Sequence, residues 1–170
     1  MELFAELEAM PDLILRVFAG LPAELWRVRS GPFAFVEHCW HLADLEREGF
    51  GARIETLLAE DDPFLPDFDG EKIAAERQYL VLRVDVALAA FAAARARNVS
   101  RLRAIAPEQW QRSGRQEGVG RVSLLDLPRR MVDHDLAHRN EIADLLAALM
   151  PGNPFIAELR NSGPATSRAA

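Results

Sequence analysis

Apolar residues recur at three- and four-residue spacing in long runs that are cut apart by Pro, Gly and Asp clusters, and this pattern restricts the fold more than any other. Leu3, Phe4, Leu7, Met10, Ile14, Val17 and Phe18 trace one stripe of a helix. Pro11 interrupts it and predicts either a kink or an early end at Met10. Gly20-Leu21-Pro22 closes this helix. A second is expected from near Phe33, after Ser30-Gly31-Pro32, to about Glu60. There Asp61-Asp62-Pro63 and Pro66-Asp67 stop it and leave a loop to about Gly70. The third and longest helix is expected from about Glu71 to Ile105, with Ile73, Tyr79, Leu82, Val86, Phe91 and Leu102 on its stripe and Pro107 beyond its end. Residues 108–122 carry three glycines and no periodicity and read as an ordered connection. Ser123-Leu124-Leu125-Asp126 resembles a capping box that opens a fourth helix running to about Met150, which Pro128 should bend.

No alternating strand pattern and no internal repeat accompany these runs. Alanine (27) and leucine (23) are the commonest residues of the 170, which favours helix over sheet. The expectation is an all-α four-helix bundle formed by residues 1–150, with residues 151–170 as a flexible tail. The alanine-rich run from Ala87 to Ala96 permits close helix approach.

Charge narrows the partners. The formal net charge is −6, with Lys72 the single lysine, and this acidic balance argues against a nucleic-acid partner. No segment offers the roughly 18–20 uninterrupted apolar residues of a membrane span. The start, MELFAELEAM, lacks the basic region of a secretory signal. A cytoplasmic chain with no membrane partner is expected. Cys39 is the only cysteine, so no disulfide closes within the chain, and its place in an apolar run suits a core or interface residue better than a nucleophile.

Chemistry concentrates at the histidines. His38 and His41 fall on the second helix, His134 and His138 on the fourth. The i,i+4 pair His134/His138 projects both rings from one helix face, a spacing at which two imidazoles can hold adjacent positions on one metal ion. His41 or His38 can then supply a third ligand from another helix, giving an open three-imidazole site. Glu37, Asp44 and Glu141 stand three or four residues from a histidine, where each can accept a ring N–H or simply face solvent. Asp135 occupies the slot of the general-base glutamate in HExxH peptidases but is one methylene shorter, which disfavours a peptidase. A di-iron carboxylate bundle needs two Glu-x-x-His motifs and two further glutamates, and only Asp135-Leu136-Ala137-His138 approximates one such motif. Arg112, Arg115 and Arg121, in the connection, can meet an anionic substrate or remain solvated.

The segment Phe35-Val36-Glu37-His38-Cys39-Trp40-His41-Leu42-Ala43-Asp44-Leu45-Glu46 resembles the second-helix signature of the DinB-like, YfiT-like superfamily. Gly120-Arg121-Val122-Ser123-Leu124-Leu125-Asp126-Leu127, followed by His134-Asp135-Leu136-Ala137-His138, is similar to the lead-in and start of that family's last helix. The acidic loop from Glu60 to Asp69 adds to the likeness, which spans roughly residues 1–150. The resemblance implies a four-helix bundle, commonly a homodimer, with a divalent ion such as zinc or nickel on His41, His134 and His138, His38 lying one turn earlier. It also implies an activity among thiol-S-transferases, thiol-dependent isomerases and metal-dependent hydrolases acting on a small-molecule substrate. A low-molecular-weight thiol is then a possible cofactor. The alternative is a non-catalytic bundle that binds a ligand or partner and keeps a vestigial metal site.

Overall fold

The computed structural model describes residues 2–160, and the last ten residues of the expected tail lie outside that range. Four long helical units form the bundle: α1 (Glu2–Gly20), the pair α2 (Phe35–Asp44) and α3 (Ala52–Ala59) joined by a π-helical segment (Leu45–Gly51), α5 (Val84–Arg103) and α6 (Leu127–Leu149). The short α4 (Gly70–Glu76) lies between α3 and α5. After α6 comes α7 (Phe155–Arg160), whose Leu159 is buried in the same core as α1 and α6.

Pro11 sits inside α1, which continues through it. A proline at this position withholds the N–H that the Leu7 carbonyl would otherwise accept. Arg95 of α5 replaces it, donating from Nη1 to the Leu7 oxygen at 2.9 Å. The second helix keeps the expected span but widens over Leu45–Gly51, an insertion of the kind that recurs beside functional sites. Glycine at position 49 makes room for the wide turn, since a Cβ there would meet Leu45 Cδ1 at 2.3 Å.

The expected third helix is two helices. The chain breaks at Arg77-Gln78, where Gln78 takes a left-handed conformation (φ 53°) and a 3-10 turn over Tyr79–Val81 follows. This break changes the register, so Val86 is exposed while Val84, Ala87, Leu88 and Phe91 face the core. The connection of residues 108–122 contains sheet, contrary to expectation. β2 (Ser113–Gln116) pairs antiparallel with β3 (Gly120–Ser123) and parallel with β1 (Phe64–Leu65) of the acidic loop. The Ser123/Asp126 box forms as read, with Asp126 Oδ2 accepting from Ser123 N at 2.8 Å and Oγ at 2.7 Å, but it caps a 3-10 turn ahead of α6. Pro128 therefore falls in the first turn of α6, where no partner for its missing N–H is needed.

The core has two apolar halves. One is built on Ile14, Phe35, Leu42, Phe91 and Ile142, the other on Leu7, Ile54, Leu57, Leu102 and Met131, and a smaller third cluster joins Phe33, Ala74 and Tyr79. Between them each long helical unit other than α1 contributes buried polar groups: His38, His41 and Glu46, then Arg95 and Asn98, then Asp135 and His138. No helix among the described residues is long and apolar enough to cross a membrane.

Candidate metal centre

Helical spacing on two elements brings the histidine rings together. His134 and His138 stand one turn apart on α6, and His41 reaches them from α2. His134 Nε2 lies 3.2 Å from His41 Nε2 and 3.0 Å from His138 Nε2. One nitrogen from each of the three rings falls within a sphere of mutual distance 4.8 Å. Nitrogens bound tetrahedrally at about 2.0–2.1 Å from a zinc ion stand about 3.3 Å apart. The observed separations fit that donor set closely. The three residues expected as ligands are brought together, and His38, His138 and Glu141 form a second such group.

His38 takes a different position. It is buried one turn earlier, with Nδ1 3.1 Å from the Nδ1 of His138, the nitrogen on the far side of that ring. Glu141 Oε2 lies 2.8 Å from His138 Nδ1 and 3.7 Å from His38 Nδ1. A carboxylate there favours the proton on His138 Nδ1 and leaves Nε2 as a lone-pair donor. Burial depresses the imidazoles: His38 and His41 to about 3, and His134 to about 2. For His134 the neighbouring His138 and His41 add to burial, and the cations Arg95 and Arg53 lower it further. At neutral pH these rings are neutral bases, the state a metal requires.

His41 is oriented by packing rather than by a hydrogen bond. Its Nδ1 is buried without a partner, and its ring lies 5.5 Å from that of Phe33 and 5.9 Å from that of Phe68. Gly70 closes the remaining side, because a Cβ at that position would meet His41 Cε1 at 2.3 Å.

Of the other carboxylates read as histidine partners, none serves that purpose. Glu37 turns back to the start of α2, accepting from Ala34 N at 2.8 Å and from Arg29. Asp44 accepts from Arg47, Arg77 and the Tyr79 hydroxyl. Asp135 faces away from the rings, and its two oxygens take Arg95 Nη1 and Nη2 at 2.6 and 2.9 Å. Glu46 and Asn98 complete that second cluster: Arg95 Nη2 donates to Glu46 at 2.9 Å, and Asn98 Nδ2 donates to the Glu46 carbonyl at 2.7 Å and carboxylate at 2.9 Å. Cys39 is buried and its thiol is pushed far up by desolvation, which suits a core residue.

A cleft of about 710 Å³ opens beside the rings, with His41 and His134 in its wall next to Leu45, Phe50, Arg53, Phe68, Gln116 and Leu127. The arginines singled out in the connection are engaged elsewhere or exposed. Arg112 holds the carbonyls of Leu57 (2.6 Å) and Glu60 (2.7 Å), Arg121 pairs with Asp62 at 3.1 Å, and Arg115 points to solvent. The cleft instead carries Arg53, Arg129 and Arg130. Sequence reasoning missed Arg53 and Gln116. For Arg53 a signal existed: it follows Phe50 by three and adjoins Ile54 on a helix, so it shares a buried face.

Fold and site together define a class: four-helix bundles in which three imidazoles converge beside a cleft. Within that class the chain belongs to the DinB superfamily, whose family profile matches residues 6–142. Its fold is also similar to that of YfiT from Bacillus subtilis, described as a probable metal-dependent hydrolase with an unusual four-helix bundle topology. That match has a TM-score of 0.79 and 18% sequence identity, and covers 86% of this chain and 85% of YfiT. No curated protein sequence matches this chain.

Proposed function

We propose that this protein holds one divalent metal ion on His41, His134 and His138 and hydrolyses a small-molecule substrate admitted through the adjoining cleft. The observation that carries this reading is the meeting of three ring nitrogens, 3.0 and 3.2 Å apart, with His41 and His134 in the wall of a cleft. A non-catalytic bundle would have no need to open its histidines onto such a space. Imidazole donors suit zinc and nickel. When bound, such an ion supplies Lewis acidity and makes water, or a low-molecular-weight thiol, nucleophilic at neutral pH. The chain's residues do the rest. Glu141 keeps the His138 proton on Nδ1, Gly70 and the two phenylalanines fix the His41 ring, and Leu45, Phe50 and Phe68 line the approach with apolar surface. The description of YfiT supports hydrolysis ahead of thiol transfer.

The test uses chelator-stripped protein reloaded with zinc or nickel and assayed on ester, amide and phosphoester panels, with and without an added thiol. The expected result is turnover that needs the metal and disappears in His134→Ala. Turnover that survives both chelation and that substitution contradicts the proposal.

A further inference from the structure

Arg53 is a charged side chain with too few partners. It is only 8% exposed, its Nε is buried without any hydrogen bond, and its one polar contact is Nη2 to the Pro66 carbonyl at a long 3.4 Å. No carboxylate among the described residues forms an ion pair with it. Asp67 acts on it from beyond that distance, Asp126 is engaged by Ser123, and Asp133 is exposed. Arg129 and Arg130 line the same cleft, together with those three aspartates. A buried guanidinium without a counter-ion is costly. The cost falls when an anion arrives, and the planar fork of arginine matches a carboxylate or phosphoryl group with two parallel bonds.

A second side chain independently points the same way. Gln116 of β2 is also 8% exposed, lines the same cleft, and has no side-chain hydrogen bond among the described residues. Its amide can donate to an oxygen that Arg53 holds. The location is set by Phe50, whose ring lies 5.9 Å from the His134 ring and equally 5.9 Å from the Arg53 guanidinium carbon.

We propose that Arg53 and Gln116 form an oxyanion subsite that takes a carboxylate or phosphoryl group of the substrate beside His41 and His134. This rests on reading the cleft as a substrate site and deepens it to a substrate class: small anionic molecules. Arg53 is then a positioning and specificity residue rather than a structural one.

The experiment titrates metal-free protein with malonate, inorganic phosphate and, as an uncharged control, malonamide. The Arg53 Nε–H resonance and the thermal midpoint are followed. Malonate or phosphate should shift the resonance and raise the midpoint by mass action, and malonamide should do neither. The tighter of the two anions assigns the group as carboxylate or phosphoryl. Arg53→Met should weaken anion binding about tenfold or more, and Gln116→Leu several-fold. Unliganded Arg53→Met should melt no lower than wild type, an outcome that a structural arginine would not give. If that variant does not fold, Arg53→Lys and Gln116→Leu carry the same comparison. The subsite is overturned if anions leave both wild-type signals unmoved, if they bind Arg53→Met equally, or if malonamide binds as well as malonate. Because no metal is present, wild type that binds anions but no divalent ion removes the metal reading and leaves this one standing.

Discussion

Two polar clusters lie side by side between the apolar halves of the bundle, and they handle buried polarity in opposite ways. In one, Arg95 bridges Asp135 and Glu46 and also replaces the hydrogen bond that Pro11 removes from Leu7, with Asn98 holding Glu46 from the side. Donors meet acceptors there, and the cluster ties α1, the π segment, α5 and α6 together. In the other, one residue away on α6, ring nitrogens face ring nitrogens, and His41 Nδ1 has no partner. Neutral imidazoles offer one donor each, so nitrogens gathered at 3.0–3.2 Å cannot satisfy one another as the ionic cluster does. Three imidazole nitrogens gathered in this way suit the external cation proposed above. The first cluster is arranged for the fold.

The comparison breaks most visibly if the ionic cluster is opened. Arg95→Met leaves Asp135 and Glu46 buried without their cation and should lower stability by about 3–5 kcal/mol in urea denaturation. A loss under 1 kcal/mol would mean that the cluster does not hold the helices. Substitution of the histidines should cost the metal-free fold less than this.

Acid comes next. In the folded metal-free chain His38, His41 and His134 protonate only near pH 3, 3 and 2, whereas unfolded histidine protonates near 6.5. Between those values the unfolded chain binds more protons at these three positions, so they lower stability as pH drops below about 6.5. Denaturation of chelated protein between pH 7 and 5 should show that loss, set against the opposite contribution of the buried Glu46 and Asp135 carboxyls, which desolvation pushes up. Replacing the three histidines by glutamine should flatten it, and an unchanged slope would contradict the assignment.

Glu141→Gln probes the arrangement around His138. It should weaken metal binding by about 10- to 100-fold in competition with a chelator while leaving the stoichiometry unchanged. The smallest effect is expected at Pro11. Pro11→Ala restores an N–H for a carbonyl that Arg95 already serves, so the change should stay within about 1 kcal/mol either way. A change of several kcal/mol would show that Arg95 is not an adequate substitute.

The long periodic stripes were legible because burial on one face leaves a 3.6-residue signature, and the histidine triad because i,i+4 spacing and the family signature coincide on His134 and His138. The small sheet was not. Ser113–Gln116 and Gly120–Ser123 hold two glycines and two arginines, and their pairing is imposed by the acidic loop and the bundle end rather than by alternation. The break at Arg77-Gln78 carries neither Gly nor Pro and arises from packing, with Tyr79 drawn into the core and its hydroxyl onto Asp44. The π segment was hidden as well, since Gly49 signals it only once the Leu45 side chain is in place. Arg53 and Gln116 come from different elements and line one cleft only in three dimensions, so single-sequence spacing contains no trace of it.

The proposed role of His41, His134 and His138 is to bind one divalent ion. X-ray absorption on zinc- or nickel-loaded protein, combined with metal counting, tests it directly. Expected are one ion per chain, three imidazole nitrogens at about 2.0–2.1 Å around zinc, and loss of the ion in each of the three His→Ala variants. Stoichiometric metal retained in all three variants, or an ion without imidazole around it, would contradict it.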